Sequence, residues 1–106
     1  MDSPGHDGEV VTGQVGCGAQ IIIFTTGRGT PTGFPVAPVV KLTANESIFT
    51  TMRENIDISV SEIITSGASI KEKGEEVFDF ILEVANGKKV KAELLGHDEL
   101  FCITRA

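Results

Sequence analysis

Gln20-Ile21-Ile22-Ile23-Phe24-Thr25 runs without a break into Thr26-Gly27-Arg28-Gly29-Thr30-Pro31-Thr32-Gly33, and this junction decides the fold. The first segment is a continuous β-branched and aromatic run with no alternation of polar and apolar residues. A strand covered on both faces reads this way, which is the habit of parallel sheets in α/β proteins. From Thr26 to Pro38 the chain carries three Gly and three Pro, so it neither continues the strand nor begins a long helix. Val39-Val40-Lys41-Leu42-Thr43 then predicts a second short strand.

On the amino-terminal side, Ser3-Pro4 offers a cap followed by proline, and Asp7 offers a second cap. Val10, Val11 and Val15 have near-helical spacing, so a short helix is expected at about residues 8–17, stopped by Gly16 and Gly18. On the carboxyl-terminal side, Asn45 or Ser47 caps a short helix through Ile48, Phe49 and Met52 that ends near Asn55. Ile56 to Ser59 reads as a brief extended piece, and Val60 to Thr65 as a helical turn. Ser69 caps the strongest helix of the chain, which Gly87 stops. Its apolar stripe is Ile70, Gly74, Val77, Phe78, Ile81, Leu82 and Ala85, with the acidic residues mostly elsewhere as a solvated face. Ala92 to Leu95 suggests another turn, and Leu100 to Thr104 a last strand. The expected class is α/β, with a thin sheet of few short strands and flanking helices in one domain, residues 1–106.

Composition limits the partners. The chain is 41% hydrophobic and 23% charged, which is ordinary globular material. Its net charge of −6 argues against nucleic acid or an anionic membrane, since both require a basic face. No apolar run approaches the roughly 20 residues that span a bilayer. No basic stretch followed by an apolar one marks a secretory signal, so a cytoplasmic protein is expected. Cys17 and Cys102 form no CxxC pair and read as two buried thiols in a reducing compartment, with a disulfide or metal role as the alternative.

Chemistry is expected in the loop that follows the first strand. In parallel α/β sheets, ligands bind where loops converge at the carboxyl ends of the strands. Gly27 and Gly29 admit positive φ and close approach of the backbone, and successive N–H groups in such a turn form an anion-binding concavity. Arg28 supplies a planar fork suited to a carboxylate or phosphate, and the threonines Thr25, Thr26, Thr30 and Thr32 supply hydroxyls. A plain tight turn is the competing reading, because the spacing matches no nucleotide-binding fingerprint. Asp2, His6 and Asp7 form a second polar group, able to act as a general base or metal ligands, or merely to cap a chain end. His97-Asp98-Glu99 reads as a solvated turn, and Asn55 and Asp57 as partners for backbone groups.

MDSPGHD, GCGAQIIIFTTGRGTPTGFPVAPVVKLTANE, MRENIDIS and EVANGKK together resemble the carboxyl-terminal part of the altronate and galactarate dehydratase family, of which a sulfolactate sulfo-lyase subunit is a relative. The resemblance runs from Met1 to about His97, and FTTGRGTPTG followed by the strand Pro38 to Lys41 is its most specific part. It implies part of a Rossmann-like parallel sheet, completed by strands outside this sequence, in either a shortened chain or one half of a split enzyme. It implies elimination of water from a sugar acid to a 2-keto-3-deoxy product, with a divalent metal such as iron whose ligands lie mostly outside this chain. On that basis Thr26, Gly27, Arg28, Gly29 and Thr30 become substrate-binding candidates, and Asp2 and His6 candidates for proton transfer or the metal shell. The expected partners are the sugar acid, the remaining domains or subunit, and further copies of the chain. The isolated chain is expected to be inactive. A non-catalytic anion-binding or assembly module is the alternative.

Overall fold

Among the described residues three parallel strands form the sheet: β1 (Ile22–Thr25), β2 (Val39–Thr43) and β3 (Ile58–Ser59), in the order β1-β2-β3. The structure is a computed structural model that describes residues 5–98. The register pairs Ile22 with Val39 and Thr25 with Leu42, then Leu42 with Ile58 and Thr43 with Ser59. Around the sheet lie α1 (Asp7–Gly16), α2 (Glu46–Thr51), α3 (Glu62–Thr65), α4 (Ile70–Ala85) and α5 (Lys91–Leu94). The expected α/β class with a thin parallel sheet is what forms. The expected strand at Leu100–Thr104, and Cys102 within it, fall outside the described residues.

The central strand explains the two-sided core. Val39 faces a cluster with Ile22 and Val11, joined by Val15, Ala19, Phe24 and Phe34, so α1 covers this face. Val40 faces the opposite cluster with Val84, Val90 and Ala92, joined by Ile21, Ile58 and Phe80, so α4 and α5 cover that one. Full burial of each such aliphatic side chain contributes roughly 1.5–3 kcal/mol. Double coverage holds for β2 but not for β1, where Ile23 remains 48% exposed. Among the described residues β1 is an edge strand, and no helix lies over its second face at Ile23.

The long helix starts as expected, with the Ser69 hydroxyl accepting from Glu72 N at 3.1 Å, and stops at Gly87 with φ +107°. Its buried side differs from the expected stripe. Val84 is buried and Val77, Phe80 and Ile81 half-buried, while Ile70, Phe78 and Leu82 face outward. The apolar surface of α4 is wider than one stripe, and the sheet takes the side that carries Phe80 and Val84. Cys17 is a second correction: it is exposed rather than buried, because α1 ends at Gly16 and turns it outward at the cap position.

One carboxylate ties three elements together. Asp57 Oδ2 accepts from Lys41 N at 2.8 Å and Oδ1 accepts from Lys91 N at 2.9 Å, while its own N–H donates to Lys41 O at 2.9 Å. Val90, at the cap position of α5, has no side-chain acceptor, so Asp57 supplies the cap from the entrance of β3. The Lys91 ammonium then donates to Arg53 O and Ile56 O. Backbone bonding is the role read for Asp57 in the sequence.

Candidate functional site

Parallel strands place Thr25, Thr43 and Ser59 at one edge of the sheet, and the chain that leaves this edge shapes an open cleft of about 800 Å³. Thr25, Thr26 and Gly27 of the loop line it together with Thr43, Asn45, Ser47 and Val60. The glycine-rich loop thus lies where the strand argument put it.

Local hydrogen bonds set the loop's shape. The Gly29 N–H donates to Thr26 Oγ1 at 2.9 Å, closing a tight turn around Gly27 and Arg28. Gly29 has φ +86°, and a Cβ there would collide with Met52 Sδ, so both conformation and space require glycine. Gly27 has no positive φ and open space where its Cβ would stand. Of the two glycines, only Gly29 has the left-handed backbone expected for both. Asn45 holds the loop from below: its Nδ2 donates to Gly27 O at 3.1 Å and its Oδ1 accepts from Ile48 N at 3.3 Å, capping α2. Its own N–H donates to Thr43 Oγ1 at 3.1 Å. One side chain therefore joins the loop to the second helix; the sequence shows Asn45 as a cap, but not this bridge.

The structure separates the five loop candidates. Thr26 and Gly27 line the cleft. Arg28 is exposed at the turn and its guanidinium has no acceptor among the described residues. Nor do the Gly27 and Arg28 amides have an acceptor there, whereas the Gly29 amide is engaged by Thr26. Thr30 is buried, with its hydroxyl 2.7 Å from Thr32 Oγ1. It braces the loop from inside. The far end of the loop is pinned by His97, whose Nδ1 lies 2.8 Å from Pro31 O. His97 is half-buried here rather than part of a solvated turn.

His6 stands at the cap position of α1, exposed, with no side-chain hydrogen bond to the helix. Asp2 lies outside the described residues. Among the described residues no three of His, Cys, Asp and Glu come together as a metal-binding group, so these residues do not form a metal centre by themselves. Lys41, in the middle of β2, is fully buried, and burial pushes its ammonium below the usual lysine range, against the attraction of Asp57.

A parallel sheet with an arginine-bearing glycine loop at its carboxyl edge and helices around it defines the class of the protein as α/β. The sequence matches the model of the D-galactarate/altronate dehydratase carboxyl-terminal family over residues 1–106, and the chain belongs to that family. It is 39% identical over 105 residues to the beta subunit of (2R)-sulfolactate sulfo-lyase from Chromohalobacter salexigens, covering 99% of this chain and 27% of that protein. Over 87 residues it is 39% identical to galactarate dehydratase (L-threo-forming) of Escherichia coli, covering 82% of this chain and 17% of that enzyme. It is also 35% identical over 89 residues to altronate dehydratase of the same organism, covering 84% and 18%. The chain thus spans between about a sixth and a quarter of the length of these relatives. Among the described residues no helix is long and apolar enough to cross a membrane.

Proposed function

We propose that this chain forms one wall of the active site of a sugar-acid dehydratase of the altronate or galactarate type, with the Thr26–Thr30 loop binding the substrate carboxylate. The observation that carries this reading is the turn at the sheet edge, where the Arg28 guanidinium and the Gly27 and Arg28 amides have no acceptor among the described residues. The relatives' names add support. Galactarate, altronate and sulfolactate are all carboxylates, and each named protein is a lyase, but the leaving group is water in two cases and a sulfo group in the third. A segment common to all three is better suited to the shared carboxylate than to the leaving group.

In this reading Arg28 makes a paired contact with the carboxylate while the free amides take its remaining lone pairs. Thr26, Gly29 and Thr30 hold the loop in shape, with Thr26 also at the cleft wall to meet a sugar hydroxyl. Removal of the proton beside a carboxylate places enolate-like charge on its oxygens, so donors fixed there before reaction stabilise that charge. The remaining domains or a partner subunit supply the other wall and any metal ligands, which leaves the isolated chain inactive. The same incompleteness, with apolar side chains such as Ile23 and Phe78 open, favours self-association.

The test is Arg28→Ala in the intact protein, with steady-state kinetics on altronate and galactarate. Loss of a charged hydrogen-bond pair to the substrate lowers kcat/KM by roughly 10- to 100-fold. Unchanged kcat and KM would remove Arg28 from the site. Sugar-acid binding without turnover by the intact protein would favour the non-catalytic module instead.

A further inference from the structure

Capping α2 does not by itself call for asparagine at position 45. Aspartate or serine would accept the Ile48 N–H as well, since a cap needs only a side-chain oxygen. Asparagine differs in carrying an amide donor too, and Asn45 Nδ2 spends it on Gly27 O at 3.1 Å. The opposite amide orientation would set Oδ1 against a carbonyl and Nδ2 against an N–H, so the two partners fix the orientation between them. The backbone N–H of Asn45, donating to Thr43 Oγ1 at 3.1 Å, ties the residue to the end of β2. Asn45 also lines the cleft, beside Thr26 and Gly27.

The carbonyl that Asn45 holds belongs to the peptide between Gly27 and Arg28. On the opposite side of that trans peptide stands the Arg28 N–H, so fixing the carbonyl fixes the N–H. The neighbouring bonds do not do this. Thr26 N donates to Leu42 O at 3.0 Å before the peptide, and Gly29 N to Thr26 Oγ1 at 2.9 Å after it. Both ends of the turn are thereby set, but a half-rotation of the middle peptide is how one turn type becomes another with its ends in place. Glycine at 27, with open space where a Cβ would stand, offers little resistance on its side. A rotated peptide would bring its carbonyl oxygen to the side where the N–H now is. We propose that Asn45 is a positioning residue for the substrate carboxylate: it holds the Gly27–Arg28 peptide so that the Arg28 N–H is presented to the acid and the carbonyl oxygen is kept from it. The inference rests on the reading of the loop given above. It also accounts for a neutral side chain at this place. Aspartate would suit the positive end of α2 better, but would set a negative charge beside Gly27 O in the cleft that receives the acid.

Asn45→Ser and Asn45→Asp in the intact protein test the assignment, because both keep an oxygen for the α2 cap and neither brings a donor to Gly27 O. Urea unfolding midpoints are expected to stay with the parent's. On altronate or galactarate, kcat/KM is expected to fall about 3- to 10-fold in Asn45→Ser, the worth of one hydrogen bond. It falls further in Asn45→Asp, which adds a repelling charge. The same substitutions made in an Arg28→Ala background are expected to cost less, since both residues act on the acid through one turn. Equal falls in the two backgrounds overturn the proposal, as does an Asn45→Ser protein with the parent's kinetics. Activity lost only in step with lost stability, in both variants, assigns Asn45 to the fold alone and overturns it too. Kinetics unchanged in Arg28→Ala remove the loop reading and this inference with it. Kinetics impaired in Arg28→Ala but intact in Asn45→Ser remove Asn45 alone.

Discussion

Replacing Asp57 by alanine removes two charge-assisted hydrogen bonds in a single step, one to Lys41 N at 2.8 Å and one to Lys91 N at 2.9 Å. The two are not equivalent. Lys41 is fully buried, so its amide finds no water and the loss takes the upper part of the range for a charged hydrogen bond, about 2–3 kcal/mol. Lys91 stands at the first turn of α5 and is half-buried, so water recovers part of that bond and the loss is about 1 kcal/mol, the worth of a helix cap. The sum is about 3–4 kcal/mol, a large share of the roughly 5–15 kcal/mol that stabilises an ordinary domain. For a chain of this size it lowers Tm by roughly 12–30 °C. Asp57→Asn keeps one acceptor oxygen and is expected to cost about half as much. Urea or thermal unfolding followed by circular dichroism gives both values, and amide exchange shows whether Lys41 and Lys91 lose protection together. An alanine variant within 1 kcal/mol of the parent, or an asparagine variant worse than alanine, would refute the idea that this carboxylate clamps β2 to α5.

Gly29→Ala forces a side chain into a left-handed backbone and against Met52, and is expected to cost about 1–3 kcal/mol and to disturb the Thr26–Thr30 turn. Chemical denaturation measures the first effect, and a variant as stable as the parent would show that the turn relaxes freely. Lys41→Met is expected to raise stability at neutral pH by about 1 kcal/mol or more, since it removes a buried amine with no hydrogen-bond partner among the described residues. The sign follows from the lowered pKa: between the folded value and the ordinary value of 10.5 the unfolded chain binds more protons, so the parent gains stability as pH rises. The advantage of methionine should therefore shrink toward pH 10.5, and denaturation midpoints of both proteins across pH 6–10 would expose a constant or widening gap.

What could be read from the sequence was mostly local. The run Gln20 to Thr25, which forms its strand from Ile22, the strand Val39 to Thr43, the Ser69 cap and the Gly87 stop each depend on a few neighbouring residues. Non-local choices were harder to read. Nothing between Ile70 and Ala85 says which side of a broadly apolar helix the sheet will take, and Phe80 with Val84 won over Phe78 with Leu82. Lys41 looks like a strand's solvent-facing residue until α1 and Phe34 are laid over the same face. In the loop, composition pointed to anion binding, but a tertiary turn decides which amides remain open. Thr26 takes the Gly29 N–H and leaves those of Gly27 and Arg28. The bridge from Asn45 to Gly27 crosses 18 residues of sequence and is visible only in three dimensions.

That bridge makes the loop and the start of α2 a single mechanical body. A pull on the tip of the loop is carried through the Gly27 carbonyl and Asn45 to the end of β2, instead of being absorbed by a slack turn. Such stiffness leaves one place for change at little risk to the fold: Gly27, where backbone conformation and free space both admit a side chain. For anyone wishing to reshape the cleft, position 27 is the adjustable part of an otherwise locked frame.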